Sequence, residues 1–133
     1  MDVTGTWYNE LNSIMELRVD GARLHGKYQT AVGDAAGPYA LHGWVDATEP
    51  FPTLGWVVLW KNGTKDVPAV TGWIGQAQTV DGAEQIDTTW LLTSSTKIQD
   101  DWESTLVGKD LFKRTMASEQ EVRRALARRR LRR

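Results

Sequence analysis

Residues 88–110, TTWLLTSSTKIQDDWESTLVGKD, set the pattern for the whole chain. The segment predicts a strand ending in Trp90-Leu91-Leu92, a polar loop carrying Trp102, and a second strand running through Asp110. Alternation places Thr88, Trp90 and Leu92 on one face of the first strand and Asp87, Thr89 and Leu91 on the other. In the second strand Leu106, Gly108, Asp110 and Phe112 alternate against Thr105, Val107, Lys109 and Leu111. An inward aspartate is costly without a polar partner, and aspartate is almost never buried unpaired. The other strands must therefore supply both a wall and polar groups.

They do so at period two. Strand one is expected over Thr4–Glu10, with Trp7 and Asn9 inward, and Asn12-Ser13 turns the chain. Met15, Leu17 and Val19 share a face of strand two, and Asp20-Gly21 is a hairpin signal. Leu24, Gly26 and Tyr28 share a face of strand three. The Gly- and Pro-rich stretch 31–38 is a loop. Strand four runs from about Tyr39 to Val45. Strand five, Leu54 to Lys61, has Trp56, Val58 and Trp60 on one face and the apolar Val57 and Leu59 on the other, so both sides call for cover. Asn62-Gly63 turns into strand six, with Ala69, Thr71, Trp73 and Gly75 inward, and Asp81-Gly82 turns into the opening segment. Eight short strands without a crossover helix predict an all-β, eight-stranded antiparallel up-and-down barrel, whose interior can hold one small ligand.

Composition narrows the chemistry. The chain has 133 residues, room for one core, and seven are Trp, a residue enriched at interfaces and ligand sites. It has no Cys, which excludes disulfides, thiolate metal sites and thiol nucleophiles. No apolar run is long enough to span a membrane. MDVTGTWY lacks the features of a signal peptide, which fits an intracellular protein or a chain whose leader has been removed. Residues 117–133 carry seven Arg against two Glu, a net +5, whereas the rest carries nine basic against fifteen acidic residues, a net −6. The chain thus divides into a barrel over 1–116 and a basic C-terminal extension over 117–133. In the extension Ser118-Glu119-Gln120-Glu121 matches a capping box, and Val122, Ala125 and Leu126 follow at helical spacing.

Collected at one barrel end, the inward residues are Asn9, Ser13, Tyr28, Thr30, Thr71, Trp60, Trp73, Trp90 and Asp110. Apolar walls with a few placed polar groups describe a small-molecule pocket. Taken singly, Trp7 and Trp56 are core, and an inward Asn or Ser near a strand end commonly serves the backbone. The sum would make a poor core and a good pocket. His25 and His42 alternate outward. No catalytic triad, metal-ligand cluster or phosphate loop occurs, and only one inward carboxylate is found where glycosidase chemistry needs two. The expectation is binding without catalysis, cofactor or metal.

GTWYNELNS at 5–13, YQTAVGD at 28–34, LGWVVLWKN at 54–62, TGWIGQ at 71–76, TTWLLTS at 88–94 and WESTLVGKD at 102–110 resemble the avidin/streptavidin family, nearest its bacterial streptavidin branch. The resemblance runs from Gly5 to about Arg114 with the motifs in order. It implies non-enzymatic, high-affinity biotin binding at the open end of a barrel, a homotetramer, and secretion. It implies that Asn9, Ser13 and Tyr28 donate to the ureido oxygen while Asp110 and Thr30 accept from the ureido N–H groups. Thr71 would lie against the ring sulfur. Trp60, Trp73, Trp90, Leu11, Val32 and Leu92 would wall the ligand, and Trp102 would reach into a neighbouring subunit's site. Gly33, Asp34 and Ala69 would stand near the valerate carboxylate. Ala69 replaces a serine donor and Asp34 brings a negative charge, so biotin esters or biotinylated lysines should lose less affinity than usual. Lys109 stands where the streptavidin branch has His and could meet its own mate across a two-fold axis, weakening one tetramer interface.

The sequence fits two further readings. Gly5-Thr6-Trp7 also opens lipocalins, so a lipocalin-like carrier of another small apolar ligand is the alternative, and an inhibitor barrel acting through its rim is a third. The basic extension is a frayed tail, a segment lying on the acidic body or bridging subunits, or the chain's one route to nucleic acid or anionic lipid.

Overall fold

The computed structural model describes residues 1–31, 37–61 and 68–131. Its strands are β1 (Gly5–Tyr8), β2 (Ile14–Asp20), β3 (Arg23–Gln29), β4 (Tyr39–Asp46), β5 (Thr53–Leu59), β6 (Ala69–Val80), β7 (Ala83–Ser94) and β8 (Thr105–Lys113). A 3-10 segment, Ile98–Glu103, joins β7 to β8, and helix α1 (Glu119–Leu131) follows. Each strand pairs antiparallel with the next and β8 returns to β1, giving a closed eight-stranded barrel.

The alternating faces become inside and outside. Trp7, Met15, Leu17, Leu24, Leu41, Trp56, Val58, Ile86 and Phe112 are buried in one core. Trp56 and Trp73 stack at 5.7 Å between centroids across the β5–β6 pair. Trp7 donates from Nε1 to the Val3 carbonyl at 2.9 Å, and the Arg114 guanidinium covers its outer ring face at 3.7 Å. That stacking on a buried indole is a cation–π contact.

Three boundaries differ from the sequence expectation. β1 ends at Tyr8 rather than Glu10, because the Asn9 side chain captures the following backbone and starts a turn. β5 ends at Leu59 rather than Lys61, where the Lys61 N–H folds back onto the Leu59 carbonyl at 2.9 Å. The first hairpin turns on Gly21-Ala22, one residue later than expected, since Asp20 pairs directly with Arg23. Asp81-Gly82 turns as expected, with φ of 51° and 81°, the left-handed pair that a two-residue hairpin needs. Leu106, expected inward, is exposed at the barrel rim. The Asn62-Gly63 turn lies outside the described residues.

The β1–β8 seam is thin, with a single registered pair, Tyr8 opposite Lys113. Side chains complete the closure. The Leu111 N–H donates to Glu10 Oε2 at 3.1 Å. Arg114 donates to the Thr4 and Asp2 carbonyls, each at 2.9 Å, and to Glu84 at 3.1 Å. Beyond the seam α1 starts with the expected capping box: Glu121 N–H donates to Ser118 Oγ at 3.1 Å, and Ser118 N–H to Glu121 Oε1 at 3.0 Å. Ala125 is buried, and a groove of about 300 Å³ runs between helix and seam, lined by residues that include Tyr8, Glu10, Lys113, Arg124 and Arg128.

Candidate functional site

The β1–β2 loop is built by one side chain. Asn9 Oδ1 accepts from the Leu11 N–H at 3.0 Å and the Ser13 N–H at 2.9 Å, while its carbonyl accepts from Asn12 N–H at 3.0 Å. This is an Asx turn, in which the side chain stands in for the next peptide unit. With Oδ1 committed to two amides, the amide nitrogen is the group turned toward Tyr28, 3.5 Å from its hydroxyl. Ser13 Oγ accepts from the Ala31 N–H at 3.2 Å, which leaves the serine's own hydrogen to donate. Asn9, Leu11, Ser13 and Tyr28 are all buried, and Thr30 is half-buried at the end of the same strand pair.

Aromatic rings form the wall. Tyr28 sits 4.9 Å from Trp73 and 5.7 Å from Trp60, and Trp60 and Trp73 meet nearly edge-on at 6.2 Å. Tyr39 packs edge-on against Trp60 at 4.9 Å, a contact that Tyr39's place beside an irregular loop concealed in the sequence. Trp60 Nε1 donates to Thr71 Oγ1 at 2.7 Å. Trp90 lies across the β7–β8 ladder from Gly108, and a Cβ on Gly108 would collide with the indole. Ala69 and Leu92 are half-buried nearby along β6 and β7.

Asp110, 4% exposed, lies behind this wall. Its Oδ2 accepts from Trp73 Nε1 at 2.9 Å, and its backbone carbonyl accepts from the Thr88 hydroxyl at 2.9 Å. The indole N–H thus meets part of the desolvation cost of burying the carboxyl group.

Glu10 was not a candidate from sequence. Extending β1 through Glu10 turned it outward, whereas the Asn9 turn brings it back onto β8 beside Asp110. Burial, and then the neighbouring Asp110 carboxyl, push the Glu10 carboxyl up from 4.5 to about 7. Asx-turn chemistry at Asn9 is the signal that could have found it.

Other expected site residues fall elsewhere. Val32, Gly33 and Asp34 lie outside the described residues. Trp102 is 80% exposed on the 3-10 segment, away from its own chain's core. His25 and His42 pair across β3 and β4 on the outer face. No group of His, Cys, Asp and Glu among the described residues could hold a metal ion. No described helix is long and apolar enough to cross a membrane.

The Avidin family model matches residues 1–115. The chain is 36% identical over 124 residues to avidin-related protein 4/5 of Gallus gallus, covering 89% of this chain and 81% of that protein. It is 35% identical over 122 residues to avidin of Gallus gallus, covering 84% and 77%. It is 34% identical over 119 residues to fibropellin-1 of Strongylocentrotus purpuratus, covering 85% of this chain but 11% of that much longer protein. A closed eight-stranded barrel and a match across nearly all of it leave one assignment: the chain belongs to the avidin family.

Proposed function

We propose that this protein binds biotin, without catalysis, in the barrel end walled by Trp60, Trp73 and Trp90. The observation that carries the reading is the convergence of buried polar groups there. Asn9 Nδ2, Ser13 Oγ–H and the Tyr28 hydroxyl are donor groups, and the acceptor Asp110 is anchored by Trp73. A cyclic urea needs that complement. Its oxygen takes several donors, which polarise it toward oxyanion character. Its two N–H groups need acceptors, supplied by Asp110 and Thr30. Thr71 Oγ1 already accepts from Trp60, so its hydroxyl hydrogen is the group presented to the ring sulfur. Leu11 and Leu92 complete the apolar enclosure, and Ala69 borders the carboxylate end; Val32, Gly33 and Asp34, outside the described residues, are assigned to the ligand by family resemblance alone.

The same reading makes the protein a secreted homotetramer in which Trp102 covers a neighbour's ligand. Support comes from the outer surface of β5 to β8, where Val57, Leu59, Ile74, Leu91 and Val107 are exposed apolar residues on adjoining strands. Contiguous apolar area of that kind marks an interaction surface. Lys109 lies on this surface 3.8 Å from Asp87, an ion pair that reduces its repulsion toward a second copy.

Calorimetric titration with biotin tests the reading. One ligand per chain with a rise in melting temperature is expected. Absence of heat and of thermal shift in excess biotin would reject it, and heat with a fatty acid instead would favour the lipocalin-like carrier.

A further inference from the structure

We propose that the C-terminal extension positions the ligand-binding loop between β1 and β2, acting through Asn12; this rests on the biotin reading of that loop. Asn12 follows the Asx turn with φ of 63°, a left-handed conformation that asparagine tolerates. Its side chain makes a two-bond bridge to Ala117. Asn12 Nδ2 donates to the Ala117 carbonyl at 3.0 Å, and the Ala117 N–H donates to Asn12 Oδ1 at 2.8 Å. The amide is read on both edges, as a neighbouring strand would read a peptide group, across 105 residues of sequence.

The other end of the bridge is held. Ala117 directly precedes Ser118, whose reciprocal cap with Glu121 starts α1, and Ala125 buries the helix against the barrel. Asn12 lies between Leu11 and Ser13, whose amides fix Asn9 Oδ1 and so turn Asn9 Nδ2 toward the ligand. Loops open locally at low free energy when only their own hydrogen bonds hold them. An anchor to a capped, packed helix removes such openings and keeps the Asn9 and Ser13 donors in place before the ligand arrives. Such preorganisation strengthens binding without adding a ligand contact. Asn12 and Ala117 are positioning residues: neither is among the groups assigned to the ligand.

The test breaks the bridge from each side in the full-length protein. Asn12→Gly keeps the left-handed backbone accessible and deletes the amide. Ala117→Pro deletes the N–H donor on the helix side. Both should speed hydrogen exchange at the Leu11 and Ser13 amides in the ligand-free protein while leaving exchange in β4 and β5 unchanged. Both should also raise the biotin off-rate about tenfold with little change in on-rate, and Asn12→Asp, which retains the acceptor, should fall between. Unchanged exchange at Leu11 and Ser13 in both variants overturns the proposal. So does an unchanged off-rate where biotin binds. If the unmodified protein binds no biotin, the functional reading fails, and the exchange data alone decide whether the extension holds the loop. Should Asn12→Gly fail to fold, Ala117→Pro decides.

Discussion

Replacing Glu10 by Gln should stabilise the protein above neutral pH and leave it unchanged in acid. Glu10 closes the barrel seam by accepting from Leu111 N–H, but does so beside the Asp110 carboxyl. Burial and that neighbour raise it from 4.5 to about 7, although Lys113, Arg124 and Arg128 line the same groove with opposing charge. Between these two values the folded chain binds more protons than the unfolded one. Stability contributed by the protonated group is therefore full below pH 4.5, falls as pH rises, and is lost above about 7. At about 1.4 kcal/mol per pH unit, the span sets a ceiling of about 3–4 kcal/mol. Partial exposure and coupling to Asp110 reduce the expected effect to about 1–2 kcal/mol. Glutamine keeps the acceptor for Leu111 and can donate to Asp110 at every pH. Denaturant melts of both proteins from pH 4 to pH 9 should give a difference near zero at pH 4, growing to a plateau by pH 8. A difference independent of pH, or a variant less stable at pH 8, would refute the carboxyl-pair reasoning.

Asp110→Ala should weaken biotin binding by about 2–4 kcal/mol in calorimetry, the scale of truncating a buried charged partner, without changing oligomeric state. Trp102→Ala should weaken both binding and assembly, and identical behaviour of the two variants would show that Trp102 serves no neighbour. Trp73→Phe keeps a ring in the wall but strips the N–H that anchors Asp110, so its loss of affinity should exceed that of Trp60→Phe, whose indole N–H donates to Thr71; equal losses would mean the Asp110 anchor is unimportant. Gly108→Ala should cost about 1–3 kcal/mol in melting experiments by overpacking Trp90. Light scattering at micromolar protein should show four subunits, with Lys109→His strengthening assembly; a dimer that never reaches four would contradict the tetramer.

The barrel was legible because period-two alternation reports which face a side chain occupies, and closure makes that face the interior. Trp7, Trp56, Trp73 and Phe112 are all buried where alternation put them. Leu106 escaped because the first inward residue of β8 faces the open mouth rather than a filled interior. Glu10 escaped for a different reason: alternation presumes the strand continues, and the Asn9 side chain ends it two residues early. The acid at position 110 could be singled out from sequence as needing a partner, yet the partner could not. Trp73 reaches it from β6, across the whole width of β7, a neighbour relation set by barrel curvature rather than by spacing. That geometry changes what the tryptophan is. A ring chosen only to wall a ligand could be any large apolar side chain, whereas an indole whose N–H holds the buried carboxylate must be tryptophan. Wall and acceptor are therefore one unit, and the carboxylate that looked most expensive in the sequence is stabilised by a residue the sequence marked only as wall.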